Sequence, residues 1–205
     1  MALPKFLRRD PIAAFWRWFG KNATQIAQDI KAYEGKGEPS PLVTLELVRR
    51  LRRIHPSLVH EIGESDEVIE LIISADGDLD AFGAVAETVS CAPPTAGYSF
   101  TAFRKRSGPD FALGMFGHEV SFRQVRYESW PEDEKLGVRV HIAIEGLDED
   151  ELDAMAFVLL DMALGEYDVA TGLGSIEAAT GRPSNAKPFT GLAAEFDAFR
   201  QPTVH

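Results

Sequence analysis

The stretch LVHEIGESDEVIELIISADGDLDAF (58–82) decides the fold, because the spacing of its apolar residues changes from that of strands to that of a helix. LVHEIG and EVIELIISA are rich in β-branched residues, and the polar ESD between them predicts a hairpin. ADGDLD supplies turn residues, and apolar residues then recur at helical spacing from about Leu79 to Cys91, where APP stops the helix. Strands and a helix therefore follow one another closely here.

The residues before this stretch predict two helices. Large apolar side chains recur three or four positions apart between residues 12 and 34, as an amphipathic helix requires: Phe15, Phe19, Ile26, Ile30 and Tyr33. EGKGEPSP then interrupts the pattern, and Ser40-Pro41 is a typical helix start. We expect the second helix to end near Ile54, because the residue before Pro56 avoids helical backbone angles.

The residues after this stretch predict four strands and then helices. The strand segments are YSFTAFRKR (98–106), FALGMF (111–116), EVSFRQVRYESW (119–130) and GVRVHIAIEG (137–146), and we expect them to form one antiparallel body. LDEDELDAMAFVLLDMAL (147–164) begins with acids and is then apolar nearly all round, which predicts a buried helix that stops at Gly165. A loop to Lys187 and a short final helix over 188–200 are predicted to follow.

This order of elements predicts an α+β fold, with a mostly antiparallel sheet, helices packed on one face and an N-terminal helical pair. We expect residues 1–56 to form a helical segment packed on an α+β body of residues 57–205, the two together making one domain. The chain of 205 residues is 45% apolar and 26% charged, a composition that supports a buried core and excludes a disordered or collagen-like chain.

Charge is distributed unevenly along the chain. Residues 1–60 hold 11 lysines and arginines against 5 acids, a net of +6, whereas residues 61–205 hold 10 against 27, a net of −17. We expect the basic helical third to dock on the acidic body, with Arg49, Arg50, Arg52 and Arg53 near acidic surface. A basic arm that binds a membrane or a nucleic acid is the alternative.

Cysteine use and hydropathy predict the compartment. Cys91 is the only cysteine in the sequence, which rules out an intrachain disulfide and fits a reducing environment. The start MALPKFLRRD has no apolar region of a secretory signal, and no stretch approaches the roughly 18 apolar residues of a membrane span. We therefore expect a cytoplasmic location.

Three carboxylates surround the predicted end of the late helix. Asp161 lies in its final turn, and Glu166 and Asp168 follow Gly165, where the exposed helix carbonyls already carry partial negative charge. Such a group needs a compensating cation. The simplest is an arginine on the predicted strands, with Arg123, Arg126 and Arg139 as candidates, and the alternatives are a metal ion or a substrate cation.

The same carboxylates are the candidate catalytic groups. Asp161 and Glu166, with His141 or Tyr167, supply acid and base functions in a pocket where the late helix would end against the sheet. Unpaired carboxylates at a helix C-terminus would have raised pKa values, which suits a general acid. A forked arginine on Glu166 would instead favour a structural role.

The layout of the chain resembles a family. FWRWF (15–19), ELIISADGDLDAF (70–82), the APP that follows and LLDMALGEYD (159–168) resemble a widespread group of uncharacterised bacterial proteins that carry a domain of unknown function. The similarity covers nearly the whole chain. It implies no substrate, cofactor or catalytic residue.

Metal and cofactor motifs are weak or missing in the sequence. Asp76, Asp78 and Asp80 alternate as in a calcium loop, but Ala81 stands where the loop needs glycine, and an Asp N-cap explains the same residues. The five histidines lack the spacing of zinc ligands. The chain has no P-loop, dinucleotide fingerprint or G-x-S-x-G elbow, so we expect no cofactor and no bound metal.

Two groups of residues are candidate binding surfaces. The first is a strand face that mixes aromatic and basic side chains, a composition that suits single-stranded nucleic acid: Phe103, Lys105, Arg123, Tyr127, Arg139 and His141. The acidic body argues against that ligand. The second is the aromatic cluster around Trp16 and Trp18, which either packs in the core or meets a partner protein, a second copy of the chain or, less favoured, a membrane surface.

The function predicted from these features is a non-enzymatic domain that binds a protein or a small ligand. It depends on the lack of catalytic motifs. The alternative is a hydrolase-type enzyme that uses the acidic residues at the end of the 148–164 helix.

Overall fold

The computed structural model describes residues 10–33, 40–65, 68–108 and 110–201. Within these ranges the chain forms six α-helices and nine strands, and most strand pairs are antiparallel. The predicted α+β class with mostly antiparallel pairing is therefore confirmed. The contacts of the chain group it into two compact units, Met1–Phe103 (unit 1) and Arg104–His205 (unit 2).

Unit 1 contains three helices and a three-stranded sheet. Its regular elements are α1 Pro11–Tyr33, α2 Leu47–Leu51, β1 Val59–Ser65, β2 Val68–Ser74, α3 Phe82–Ser90 and β3 Tyr98–Ala102. A π-helical turn over Leu42–Glu46 precedes α2, and a 3₁₀ turn over Leu79–Ala81 precedes α3. The second predicted helix is thus part π-helix and part α-helix. The predicted break after α1 lies mostly in residues 34–39, outside the described residues.

The sheet of unit 1 has the order β1-β2-β3. β1 and β2 form the predicted antiparallel hairpin, with Ile62 opposite Leu71. β3 pairs with β2 in parallel, with Phe100 opposite Leu71, so the expectation that β3 belongs to one antiparallel body with the later strands is wrong. The reason is topological, because α3 is a crossover helix that returns the chain to the same end of the sheet.

The aromatic residues of α1 form the core of unit 1. Phe15, Trp16 and Phe19 are buried. The ring centroids of Trp16 and Phe100 lie 4.7 Å apart, and those of Phe19 and Tyr98 lie 5.1 Å apart, both in edge-to-face geometry. Burial of these rings holds α1 on β3, because large aromatic side chains contribute the most apolar area.

Unit 2 contains a hairpin, a four-stranded sheet and three helices. Its elements are β4 Ala112–Met115, β5 His118–Ser121, β6 Val125–Glu132, β7 Lys135–Ile142, α4 Glu149–Leu164, α5 Glu166–Gly172, β8 Leu173–Thr180, β9 Lys187–Pro188 and α6 Leu192–Arg200. β4 pairs only with β5 among the described strands, and the larger sheet has the order β8-β7-β6-β9.

The late helix and the strand after it define the core of unit 2. α4 packs its apolar residues on the face of β7 that carries Val138, Val140 and Ile142. The capping box of Asp148 and Glu151 starts α4, as its acidic first turn predicts. Residues 173–180, predicted as loop, form β8 instead, which pairs in parallel with β7.

The two units differ from the division predicted at residue 56. The helical segment and β1–β3 share one hydrophobic cluster, so the contacts group α1 and α2 with the first sheet as unit 1. The division into a 1–56 segment and a 57–205 body stays a prediction about domains.

Candidate functional site

The predicted end of the late helix lies where expected, but a new helix begins at once. α4 ends at Leu164, Gly165 has a φ of 85°, and α5 begins at Glu166. Glu166 and Asp168 therefore lie in the first turn of α5, where the helix dipole favours negative charge. The expectation that they extend an unfavourable helix C-terminus is wrong, and Asp161 alone lies in the last turn of α4.

The cations beside these carboxylates come from the segment after β3. The guanidinium of Arg104 lies 3.3 Å from the carboxylate of Asp161, and its backbone N–H donates to Glu166 Oε2 at 3.2 Å. The backbone N–H of Glu166 donates in return to the Arg104 carbonyl at 3.1 Å. Glu166 is fully buried, so these bonds replace water around its carboxylate.

Arg106 is the second arginine that contacts the end of α4 and the start of α5. Its Nε donates to the Leu164 carbonyl at 2.8 Å, its two terminal nitrogens fork onto Asp197 at 2.9 and 2.8 Å, and one of them reaches Asp168 at 2.7 Å. The guanidinium thus satisfies a free carbonyl at the end of α4 and holds the pKa of the Asp197 carboxyl below its usual value. We call Arg104, Arg106, Asp161, Glu166, Asp168 and Asp197 the arginine–carboxylate corner.

The arginines expected at this corner have other partners. Arg139 pairs with Glu128 at 3.3 Å and with Glu177 at 2.5 Å. Arg123 forms an exposed pair with Asp110 at 2.7 Å, and Arg126 donates to the Ala186 carbonyl at 3.1 Å. Arg104 and Arg106 were not among the predicted partners, although the basic run FRKR (103–106) at the end of the predicted strand 98–106 was a visible signal.

Of the four candidate catalytic residues, the structure brings three to one corner. Asp161 and Glu166 belong to the arginine–carboxylate corner, and Tyr167 follows with its side chain about half exposed. His141 lies on the opposite face of β7 from the residues that pack on α4, and its Nε2 is 3.0 Å from Glu128 Oε2. The His141 imidazole therefore does not form an acid–base pair with the carboxylate of Asp161 or Glu166.

The predicted aromatic and basic strand face does not form. The Tyr127 side chain is buried on the α-helical side of the sheet and donates to Glu195 at 2.7 Å, whereas Arg139 and His141 lie on the other side. Arg123 lies in a 3₁₀ turn before β6, Phe103 belongs to unit 1, and Lys105 lies outside the strands. These residues give no continuous surface for stacked bases.

The alternating aspartates after β2 form a turn and a helix cap. The Asp78 carboxylate accepts from the backbone N–H of Asp80 at 3.1 Å and from the Ser57 hydroxyl at 2.5 Å, which lowers the pKa of Asp78. Asp76 has a φ of 53°, typical of a turn. Among the described residues no three His, Cys, Asp or Glu side chains lie close enough to hold a metal ion.

A groove lies between α1 and the end of α2. It is open to solvent and has a volume of about 720 Å³, within the range of ligand pockets. Four cationic side chains line it, namely Arg17, Lys21, Arg50 and Arg53. Trp18 and Phe15 contribute aromatic surface. We call this cavity the basic groove.

The charges of the basic groove are largely uncompensated. Arg50 lies 4.4 Å from the centroid of the Trp18 ring and pairs with Glu46 at 2.6 Å. Arg17, Lys21 and Arg53 are exposed and form no ion pair with any residue in the described ranges. Arg49 and Arg50 share Glu46, the last residue of the π-helical turn before α2, and the expectation that Arg49, Arg50, Arg52 and Arg53 lie near acidic surface stays a prediction.

The two tryptophans of α1 have different environments. Trp16 is buried, and its indole N–H donates to the Thr88 carbonyl at 2.8 Å, so it is a core residue rather than a binding residue. Trp18 is partly exposed at the basic groove. Because Trp16 and Trp18 are two positions apart on α1, their side chains point to different sides of the helix.

The chain matches no protein-family model, no curated protein and no solved structure in the comparisons with known proteins. The resemblance to uncharacterised bacterial proteins therefore stays a prediction. None of the helices in the described part of the chain combines the length and the hydropathy needed to cross a bilayer.

Proposed function

We propose that this chain is a non-enzymatic binding protein whose binding surface is the basic groove. The observation that carries the proposal is a set of three exposed cations, which pair with no acid among the described residues, beside a partly exposed tryptophan. On a protein surface that binds no ligand, positive and negative side chains are usually interspersed. A concave surface that carries only positive side chains and an aromatic ring is typical of a binding site. The single cysteine supports a cytoplasmic location.

The alternative is an enzyme that uses the arginine–carboxylate corner. Two features count against it. Asp168 and Asp197 both accept charge-assisted bonds from Arg106, and those bonds lower the pKa of Asp197, which disfavours it as a proton donor. Glu166 is fully buried, so a substrate would have to displace existing contacts to reach it. Beside the corner, the half-exposed Tyr167 is a group that a substrate could reach directly.

A screen for turnover tests the non-enzymatic part of the proposal. The intact protein is assayed with a panel of ester, phosphoester, glycoside and peptide substrates, beside Glu166→Gln, Tyr167→Phe and the exposed control Glu134→Gln. We expect no turnover above the rate without protein. Turnover that persists in Glu134→Gln and disappears in either corner variant would establish the enzyme instead, and Tyr167→Phe covers the case in which Glu166→Gln fails to fold.

A further inference from the structure

We propose that the basic groove binds an acidic segment of a partner protein, in which aspartate or glutamate side chains flank apolar ones. This inference rests on the proposed function and adds the chemistry of the partner. Neither the family comparisons nor the fold assigns such a ligand.

The cations are arranged in two rows on two elements. Arg17 and Lys21 lie one turn apart on α1, and Arg50 and Arg53 lie three positions apart at the end of α2 and just beyond it. Residues three or four apart on a helix share a face, so each row presents two positive charges to one cavity. A chain segment with several carboxylates can contact both rows at once, which a single small anion cannot do.

Arg50 is already held in a fixed orientation. Its guanidinium stacks over Trp18 at 4.4 Å and is anchored to Glu46 at 2.6 Å, and Glu46 is shared with Arg49 at 2.8 Å. Ordering a long side chain on binding normally opposes affinity, so a guanidinium that is oriented beforehand binds a carboxylate with less loss of entropy. Trp18 and Glu46 are thus positioning residues for Arg50.

The groove also contains an apolar part. Pro11, Ala14 and Trp18 line it with exposed or partly exposed apolar surface. An inorganic anion would leave this surface uncovered, whereas an apolar side chain between two acidic ones would bury it. The lining therefore favours an amphipathic acidic peptide over a phosphate ion.

Charge elsewhere in unit 1 limits the length of the ligand. Residues 61–103 contain nine acids and no lysine or arginine, and the whole chain has a formal net charge of −11. A nucleic acid or an anionic membrane carries many more negative charges than the groove can neutralise, and the negative net charge of the chain opposes its binding. A short segment that fits a groove of about 720 Å³ carries few charges and meets less repulsion.

Fluorescence anisotropy with a defined probe tests this inference on the full chain. The probe is a short labelled peptide, acetylated and amidated, in which glutamates flank one leucine and one phenylalanine. We expect saturable binding that weakens as salt is raised, because screening reduces the attraction between exposed charges. The double variant Arg17→Gln/Arg53→Gln should bind about tenfold more weakly, the loss expected for two exposed charge pairs.

The control variant is Arg52→Gln. Arg52 is exposed, adjacent to Arg53 in sequence and outside the groove lining, so its replacement removes one positive charge without touching the site. Its affinity for the probe should equal that of the unchanged protein. The inference is overturned by an equal loss in Arg52→Gln, or by equally tight binding of a peptide with glutamine at every glutamate.

Three further arms identify a different occupant. Tighter binding of single-stranded DNA or of phosphatidylserine vesicles than of the peptide would overturn the acidic-peptide assignment in favour of those polyanions. A dimer in sedimentation velocity that Arg17→Gln/Arg53→Gln abolishes would reassign the groove to a second copy of this chain. If no probe binds and the substrate screen shows no turnover, only the acidic-peptide inference is overturned. Turnover in the substrate screen would instead overturn the proposed non-enzymatic function.

Discussion

Arg106 is a side chain that joins three helices of unit 2. Its guanidinium reaches the carbonyl of Leu164 at the end of α4, Asp168 in α5 and Asp197 in α6. Each bond is charge-assisted, and one pair is a fork, the geometry in which arginine binds carboxylate most strongly. The need for a cation at the end of α4 is predictable from the dipole and the acids. Which arginine supplies it is not, because Arg106 is separated from Asp197 by 91 positions.

Replacement of Arg106 should make the stability of the protein depend differently on pH. The guanidinium lowers the pKa of Asp197 from its ordinary value of 3.8, so the ionised pair stabilises the fold above that value and the contribution is lost as pH falls through the lowered pKa. Arg106→Gln should reduce the free energy of unfolding by about 1–2 kcal/mol near neutral pH, and the difference should shrink in acid. Urea denaturation across this range measures it.

The matched control for Arg106 is Arg123. Arg123 pairs with Asp110, but both side chains are more than three-quarters exposed, and such pairs add little to stability. Arg123→Gln should therefore leave the unfolding free energy unchanged at every pH. If Arg106→Gln lowered the free energy of unfolding by the same amount from neutral pH to acid, Arg106 would stabilise the protein through packing of its aliphatic part and not through its ion pairs.

The elements of this fold were predictable where their signal is local. The β1–β2 hairpin, the helix after Asp78 and the stop of α4 at Gly165 follow from β-branched runs, a cap and a glycine. β8 was missed because Gly174, Ala178 and Ala179 give it few β-branched side chains. Its place is determined by pairing with β7 and by the close approach of Gly174 to Glu132, where a Cβ would collide.

The link between α4 and α5 depends on Gly165. Its φ of 85° is a conformation that other residues rarely adopt, and a Cβ there would lie 3.2 Å from the Arg104 carbonyl oxygen. Gly165→Ala should therefore reduce the free energy of unfolding by about 1–3 kcal/mol. Denaturant unfolding of the purified variant measures this.

Gly20 provides the comparison for Gly165. It lies inside α1, it is exposed, and a Cβ there would meet nothing within 4 Å. Gly20→Ala should stabilise the protein by up to about 1 kcal/mol, because alanine favours the helix. If both variants changed stability in the same direction, the strain assigned to Gly165 would be wrong.

At the scale of the whole molecule, charge and apolar contact have different roles. The net of +6 in residues 1–60 predicted that the N-terminal helices dock on acidic surface, with apolar packing as the main contribution and charge setting the orientation. Within unit 1 the contacts of α1 are mainly aromatic and aliphatic, and Arg17 and Lys21 of α1 line the basic groove. Exposed ion pairs contribute at most about 1 kcal/mol each. The uneven distribution of charge was therefore predictable from the sequence. Where the cations lie was not, because that depends on which side of α1 packs in the core.

Removal of the N-terminal helices should destabilise unit 1. A chain that begins at Pro56 lacks Phe15, Trp16 and Phe19, whose burial against β3 contributes on the order of 5–10 kcal/mol before chain entropy. We expect this chain to aggregate or to lose a cooperative unfolding transition. Raising salt should barely change the melting temperature of the full chain, because apolar packing is not screened. A truncated chain that stays folded at an unchanged melting temperature would mean that the helices form an independent arm, and a partner or a membrane would then be the better explanation of their aromatic and basic residues.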